Sequence, residues 1–337
     1  MSKTMSQPPR NTMIAQATAR CRQRQAGFTL IEMMISVTIG LGILAGLVGV
    51  LAANSGNSRS NDRTSELMTN GRYALNSIKQ ELREAGFRAY TLPPPTPTDG
   101  TYAAPTVGCV GAEAGATVGT FIANIRQGVW GADDVNPFAA NCITDYAAGN
   151  DVLVVRRVAV SPATALVANT VYFHSTYDRG QVFRGTVAPT FTGGPQPLAS
   201  FPLQVYVYYV RPFTVVATES PLVPALMRVV LRADGTMSSE MVASGIERMQ
   251  LQYGHLNTAP ATQYLDAGAG DLTATSSDSA FSGWEDVNSV RIWLLARNST
   301  PEPGYVNTQT YPMGDQNVVV NDNYRRQLFT TVAQLRN

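Results

Sequence analysis

Histidine is almost missing from these 337 residues: only His174 and His255 occur, and neither stands in a spacing that pairs a base with a nucleophile or gathers metal ligands. No Cys-x-x-Cys run exists, so a zinc site has no ligand set to draw on. A P-loop and a dinucleotide-binding glycine fingerprint are absent too, which removes the usual ways of holding ATP or NAD. No internal repeat is present. Asp133 with Asp134, and Asn321 with Asp322 and Asn323, offer oxygens of the kind calcium takes. Neither group follows the spaced EF-hand loop, and solvated turn residues are the favoured reading. With no catalytic residue to nominate, no cofactor is expected and the chain is read as not an enzyme.

Negative charge is absent from the amino terminus, where Lys3, Arg10, Arg20, Arg22 and Arg24 precede Gly27 without an acid among them. The formal net charge of +1, from 25 basic and 24 acidic residues, hides this asymmetry. Without those five cations, 20 basic residues face 24 acidic ones, a net −4. Nucleic-acid phosphates demand a clustered cationic face, so direct nucleic-acid binding is not expected. A mean hydropathy of −0.06 suits a folded globular chain better than a polytopic membrane protein or a disordered one. Cysteine is scarce as well, with Cys21, Cys109 and Cys142 its three occurrences.

What is present in strength is one apolar run. Residues 28–51 hold a single charged side chain, Glu32, across a length sufficient for a helix to cross a bilayer. The basic cluster ahead of it should stay cytoplasmic by the positive-inside tendency, sending the remainder of the chain across. A secretory signal would place its cleavage site after the apolar run and discard it. Here the order is reversed: Gln25, Ala26 and Gly27 end a basic polar leader, and Phe28, Thr29, Leu30, Ile31 and Glu32 open the run.

That order resembles the type IV prepilin signature. The resemblance implies that a prepilin peptidase cuts between Gly27 and Phe28 and methylates the new amino terminus on Phe28. A carboxylate inside an apolar helix costs about 2.5 to 3.5 kcal/mol on insertion scales, so Glu32 needs a partner. In pilins the matching acid is thought to meet the charged amino terminus of a neighbouring subunit, which would make Glu32 a register device for assembly. The plainer alternative is a glutamate that snorkels to the membrane surface. Gly40, Gly42, Gly46 and Gly49 either form a packing face between helices or lend flexibility. Cys21 falls in the leader, leaving Cys109 and Cys142 as an even pair in a non-cytoplasmic region. A Cys109 to Cys142 disulfide is expected, with two unpaired buried thiols as the alternative.

After Asn54, Ser55, Gly56 and Asn57, helical periodicity resumes with Leu67, Gly71, Leu75, Ile78, Leu82 and Ala85 on one face. Arg63, Glu66, Arg72, Lys79, Glu81 and Arg83 should form a solvated face opposite. Gly86 supplies a C-cap, and Pro93, Pro94 and Pro95 forbid continuation. Beyond them, β-prone segments at 152–160, 171–174, 204–210, 226–231, 248–253, 290–295 and 328–335 alternate with turn clusters. Ala233, Asp234 and Gly235 mark a hairpin. Residues 259–282, rich in Ala, Thr, Ser, Gly and Asp, read as a long surface loop. Tyr206, Tyr208 and Tyr209 among valines read as a strand serving core and edge, with a binding platform as the lesser alternative.

The expected class is α+β: a long N-terminal helix, half transmembrane and half amphipathic, packed on a mainly antiparallel β-sheet head. The expected segments are a leader over 1–27, a transmembrane and assembly helix over 28–53, its amphipathic continuation over 54–86, and a head over 87–337.

Three head segments sharpen the family. Gly245 to Gly254, Trp284 to Val287 with Val290 to Arg297, and Tyr324 to Phe329 with Leu335, Arg336 and Asn337, resemble the PilW minor pilins. The resemblance implies a structural subunit that initiates or caps type IV pili with other minor pilins, the major pilin and a large tip adhesin. It also implies dealings with the prepilin peptidase and an inner-membrane assembly platform, first as a single-pass inner-membrane protein with a periplasmic head, then at the cell surface. A minor pseudopilin of a type II secretion system shares the leader and helix. An anchored receptor with an uncleaved helix, and an anchored hydrolase, are the readings from other classes.

Overall fold

The computed structural model describes residues 27–92, 109, 120–138, 142–191, 197–256, 262–270, 272 and 283–336. The leader with Cys21, the prolines at 93–95 and most of the expected loop over 259–282 lie outside the described residues. The chain divides into two compact units between Asn57 and Ser58.

The first unit is helical from Leu30 onward, within a helix α1 that spans Leu30–Glu84. The polar residues 54–57 do not interrupt it.

In the second unit, α1 from Ser58 onward joins α2 (Thr120–Ala123), β1 (Val129–Ala132), β2 (Val152–Val158), β3 (Val171–Ser175), β4 (Gly180–Arg184), β5 (Ala199–Arg211), β6 (Ala225–Leu231) and β7 (Met237–Ser244). There follow β8 (Ile246–Leu256), β9 (Thr262–Leu265), a 3-10 turn at Gly283–Asp286, β10 (Val287–Arg297), β11 (Thr310–Met313), β12 (Gln316–Val319) and β13 (Arg326–Gln334). The fold is α+β, and every strand pairing is antiparallel.

Seven strands form one sheet around β5, whose first residues pair with β3 while its later ones pair with β2 and β6. A second sheet runs β13-β10-β8-β9, and β11 and β12 form a separate hairpin. All seven strands expected from the sequence are present. Thr262–Leu265, inside the stretch read as a surface loop, instead pairs with the end of β8, because backbone pairing to an open edge needs no apolar alternation. The turn at Asp234 and Gly235 joins β6 to β7 as expected, with Gly235 at φ 79 and the Asp234 carboxylate accepting from the Thr236 amide.

The head is built on the helix. Leu67, Ala74, Ile78, Leu82 and Ala85 are buried in the main core. Gly71 is there because β13 leaves no room: a methyl group on it would lie 2.6 Å from Cζ of Phe329. Asn70 donates to Ser244 in β7, and Lys79 reaches Thr331 in β13, so this helix stretch touches both sheets. At its end Gly86 adopts φ 77 and donates its amide to the Arg156 carbonyl of β2, stopping the helix where the sheet begins.

Glu81 departs from the expected solvated face. Its carboxylate lies 3.0 Å from Arg157 and 3.9 Å from Arg228, cations contributed by β2 and β6 that no helical periodicity reveals. The same two arginines cover Tyr206, at 5.8 and 5.2 Å from its ring centre, while Tyr208 and Tyr209 are buried. The tyrosines are therefore core and cover, with no open platform.

Candidate functional site

The first candidate is the start of α1. Every apolar side chain described from Phe28 to Leu51 is exposed, with Phe28 at 79%. The stretch Leu30–Ala52 has 23 residues, about 35 Å of helix at 1.5 Å per residue, enough for a hydrocarbon core of about 30 Å. Its hydroxyls have partners within the helix: Ser36 donates to the Glu32 carbonyl at 2.7 Å and Thr38 to the Ile35 carbonyl at 2.9 Å. Both are thereby fit for a medium without water.

Glu32 is the single carboxylate in that stretch, and its position is set by the helix start. Thr29 is the N-cap. Its amide and hydroxyl face the Glu32 carboxylate at 3.4 and 3.3 Å, while the Glu32 amide donates to the Thr29 hydroxyl at 3.4 Å. This is a capping box, read in sequence as Thr-x-x-Glu, a signal overlooked when Glu32 is weighed only as a membrane acid. It satisfies amides that the first helical turn would leave orphaned and points the carboxylate back toward Phe28. A positive group at the amino terminus of a neighbouring helix would find a preoriented acceptor there. Gly27 and Phe28 lie just ahead of the helix in irregular backbone, a form suited to a protease groove.

In the head, Cys109 and Cys142 are joined by a disulfide with Cα atoms 5.6 Å apart. The chain-entropy model assigns such a 33-residue separation about 3 to 4 kcal/mol. His174 hydrogen-bonds Ser200 at 2.8 Å and packs on Phe183 and Phe191, a buried core histidine whose burial lowers its pKa. Arg156, fully buried, donates to the carbonyls of Phe121 and Gln127 at 2.8 and 3.1 Å and ties α2 to β2.

A second polar cluster forms where β1 ends and β2 begins. Asp133 and Asp134 are half-buried rather than fully solvated, and Asp151, far from them in sequence, is buried beside them. Asp151 accepts the amides of Asp134 at 3.1 Å and Leu251 at 2.6 Å. Asp134 accepts from the side-chain amides of Gln250, at 3.0 Å, and Gln316. Burial, then the charges of Asp315, Asp134 and Asp266, pushes Asp133 up to about 6. Burial pushes Asp151 well above the ordinary carboxylate range, and the Tyr253 phenol well above its own.

The segments that carry the family resemblance turn out to be neighbours: β8, β10 and β13 are consecutive strands of one sheet. Arg326 locks them, with its side chain 2% exposed, 2.6 Å from Glu247 and 2.7 Å from Asp322. Trp284 packs its ring on Tyr253 and Trp130, joining this sheet to β1.

A family model described as type IV pilus-assembly protein W matches residues 207–337, the part that contains this sheet. A second, described as the prokaryotic N-terminal methylation motif, matches residues 22–48. No curated protein and no solved structure matches the chain. The apolar helix and the motif on it are consistent with a membrane-anchored pilin. The methylation motif at the start of the apolar helix and the match over the head's second sheet together support a PilW-family type IV pilin.

Proposed function

We propose that the chain is a minor pilin, a structural subunit that helps initiate type IV pilus assembly after prepilin peptidase cleaves between Gly27 and Phe28. Membership of the family implies interaction with other pilus components. The finer reading is that other minor pilins, the major pilin and a large tip adhesin are its neighbours, and that the inner-membrane assembly platform handles it. The subunit would wait as a single-pass inner-membrane protein with its head in the periplasm, then move to the pilus and serve adhesion and twitching motility, with DNA uptake as a further output. Its role is structural rather than enzymatic.

One observation supports this above the rest: an exposed apolar helix opens on a lone, preoriented carboxylate within the stretch matched by the methylation motif. An exposed surface of that kind is stable only in lipid or among similar helices. Glu32 has the place and orientation to take the new amine of Phe28 from a neighbour.

Mass spectrometry of the protein purified from membranes tests the processing. The reading expects an amino terminus at methylated Phe28; a chain still beginning at Met1, or cut beyond Leu51, would refute it. Deleting the protein should strip surface pili while leaving major pilin levels intact. Loss of exoprotein secretion with normal piliation would instead assign the chain to a type II secretion pseudopilus.

A further inference from the structure

We propose that the head binds a calcium-class divalent cation between Asp133, Asp134 and Asp151, a site separate from the assembly helix and independent of the pilus reading. Each of the three carboxylates offers one oxygen, and these oxygens all lie within 4.8 Å of one another. Calcium holds its oxygens at about 2.3 to 2.6 Å, so ligands on opposite sides of the ion stand about that far apart. The donors are all oxygen, with no imidazole or thiolate among them, which selects a hard cation over zinc.

The arrangement is anchored to the backbone. Asp151, 2% exposed, is held by the amides of Asp134 and Leu251, and its hydrogen bond with Asp133 takes a proton that a bound cation would displace. The charges that act most on Asp133 and Asp315 are those of other carboxylates, Asp266 among them. Carboxylates crowded with their own kind repel, and a divalent ion is the natural relief.

A separate observation points to a ligand at the same place. The Tyr253 hydroxyl, on a side chain 1% exposed, has no hydrogen-bond partner among the described residues. That hydroxyl lies over Gly131 near the end of β1, where a methyl group would collide with it, two residues before Asp133, and the charges of Asp151 and Asp133 act on it. A buried hydroxyl left unpaired costs about 1 to 3 kcal/mol. The ion, or a water on it, would accept that hydroxyl into its shell. Asp133 and Asp134 follow β1, Asp151 precedes β2, Tyr253 lies in β8, and Asp315 sits in the turn between β11 and β12. An ion here would fasten the seven-stranded sheet to the second sheet.

The test uses the full chain in detergent, stripped with EGTA and titrated with terbium, whose emission is excited through the Tyr253 and Trp284 rings. Saturable emission displaced by calcium, together with a calcium-dependent rise in Tm, is the expected result. Asp133→Asn should weaken calcium binding about tenfold or more without unfolding the head, because Asp133, unlike Asp151, accepts neither of the two amides that hold the turn. Tyr253→Phe should weaken it several-fold, read by the same displacement. Terbium emission that calcium does not displace, wild-type affinity in Asp133→Asn, or displacement by magnesium as effective as by calcium would each overturn the assignment.

Discussion

The two halves of α1 carry opposite surfaces on one continuous helix. Up to Asn57 its apolar side chains are exposed and its only charge is Glu32; beyond Ser58 its apolar face is buried, and Lys79, Glu81 and Glu84 reach partners on strands. The first half holds its structure by local means alone, a capping box and an unbroken ladder, and leaves its surface for other molecules. The second half has its apolar face already spent on the head. On the proposed function, this separates the part that would assemble from the part that folds, so substitutions should affect one without the other.

The largest expected effect breaks assembly alone. Glu32→Ala should leave membrane insertion intact while filament incorporation is lost, measured by surface-pilus shearing beside membrane fractionation; normal incorporation would remove the asymmetry between the halves. Next comes a pure folding defect. Arg326→Leu leaves Glu247 and Asp322 without their buried cation and should cost about 3 to 5 kcal/mol in denaturant unfolding of the head. Reduction, or Cys142→Ser, should lower stability by about 3 to 4 kcal/mol in the same assay.

A smaller change sharpens the boundary between the halves. Gly71→Ala drives a methyl into Phe329 and should cost about 1 to 3 kcal/mol, whereas Gly46→Ala, with nothing within 4 Å, should not lower head stability. Pairing Gly71→Ala with Phe329→Leu should recover part of the loss, since the clash is with that ring. The smallest effect is with pH. Hydrogen bonds from Arg326 and Arg325 hold Asp322 and Glu302 below their ordinary carboxylate values. Groups depressed in the folded state contribute stability above their unfolded pKa and lose it as pH falls through the folded one. Head Tm should therefore decline on acidification below the ordinary carboxylate range, and Arg326→Leu should flatten that decline.

Much of the head was legible, and the misses share a cause. Strands β2, β5 and β10 declare themselves because runs such as Val152 to Val155 and Ile292 to Leu295 bury nearly every residue. Strand β7 does not, since Met237–Ser244 is a mostly polar edge strand that owes its form to the hairpin and to β6. Strands β1, β9, β11 and β12 have four residues each, too few for a period to show. Asp151 gave no signal beside Asp133 because 18 positions separate them in the chain and only the β1 to β2 pairing closes that gap.

The sequence alone determined the anchor: an apolar run, its lone acid, a basic leader and a glycine at the junction, features that depend on the solvent around one helix and on neighbours three or four residues away. It also determined the periodic buried face up to Gly86, because 3.6-residue spacing is local. Only the tertiary structure decided that Glu81 faces Arg157 and Arg228, that Gly71 is demanded by Phe329, and that the Tyr253 hydroxyl comes to rest on Gly131. Those pairings join strands distant in sequence, and no local pattern encodes which two surfaces will be pressed together.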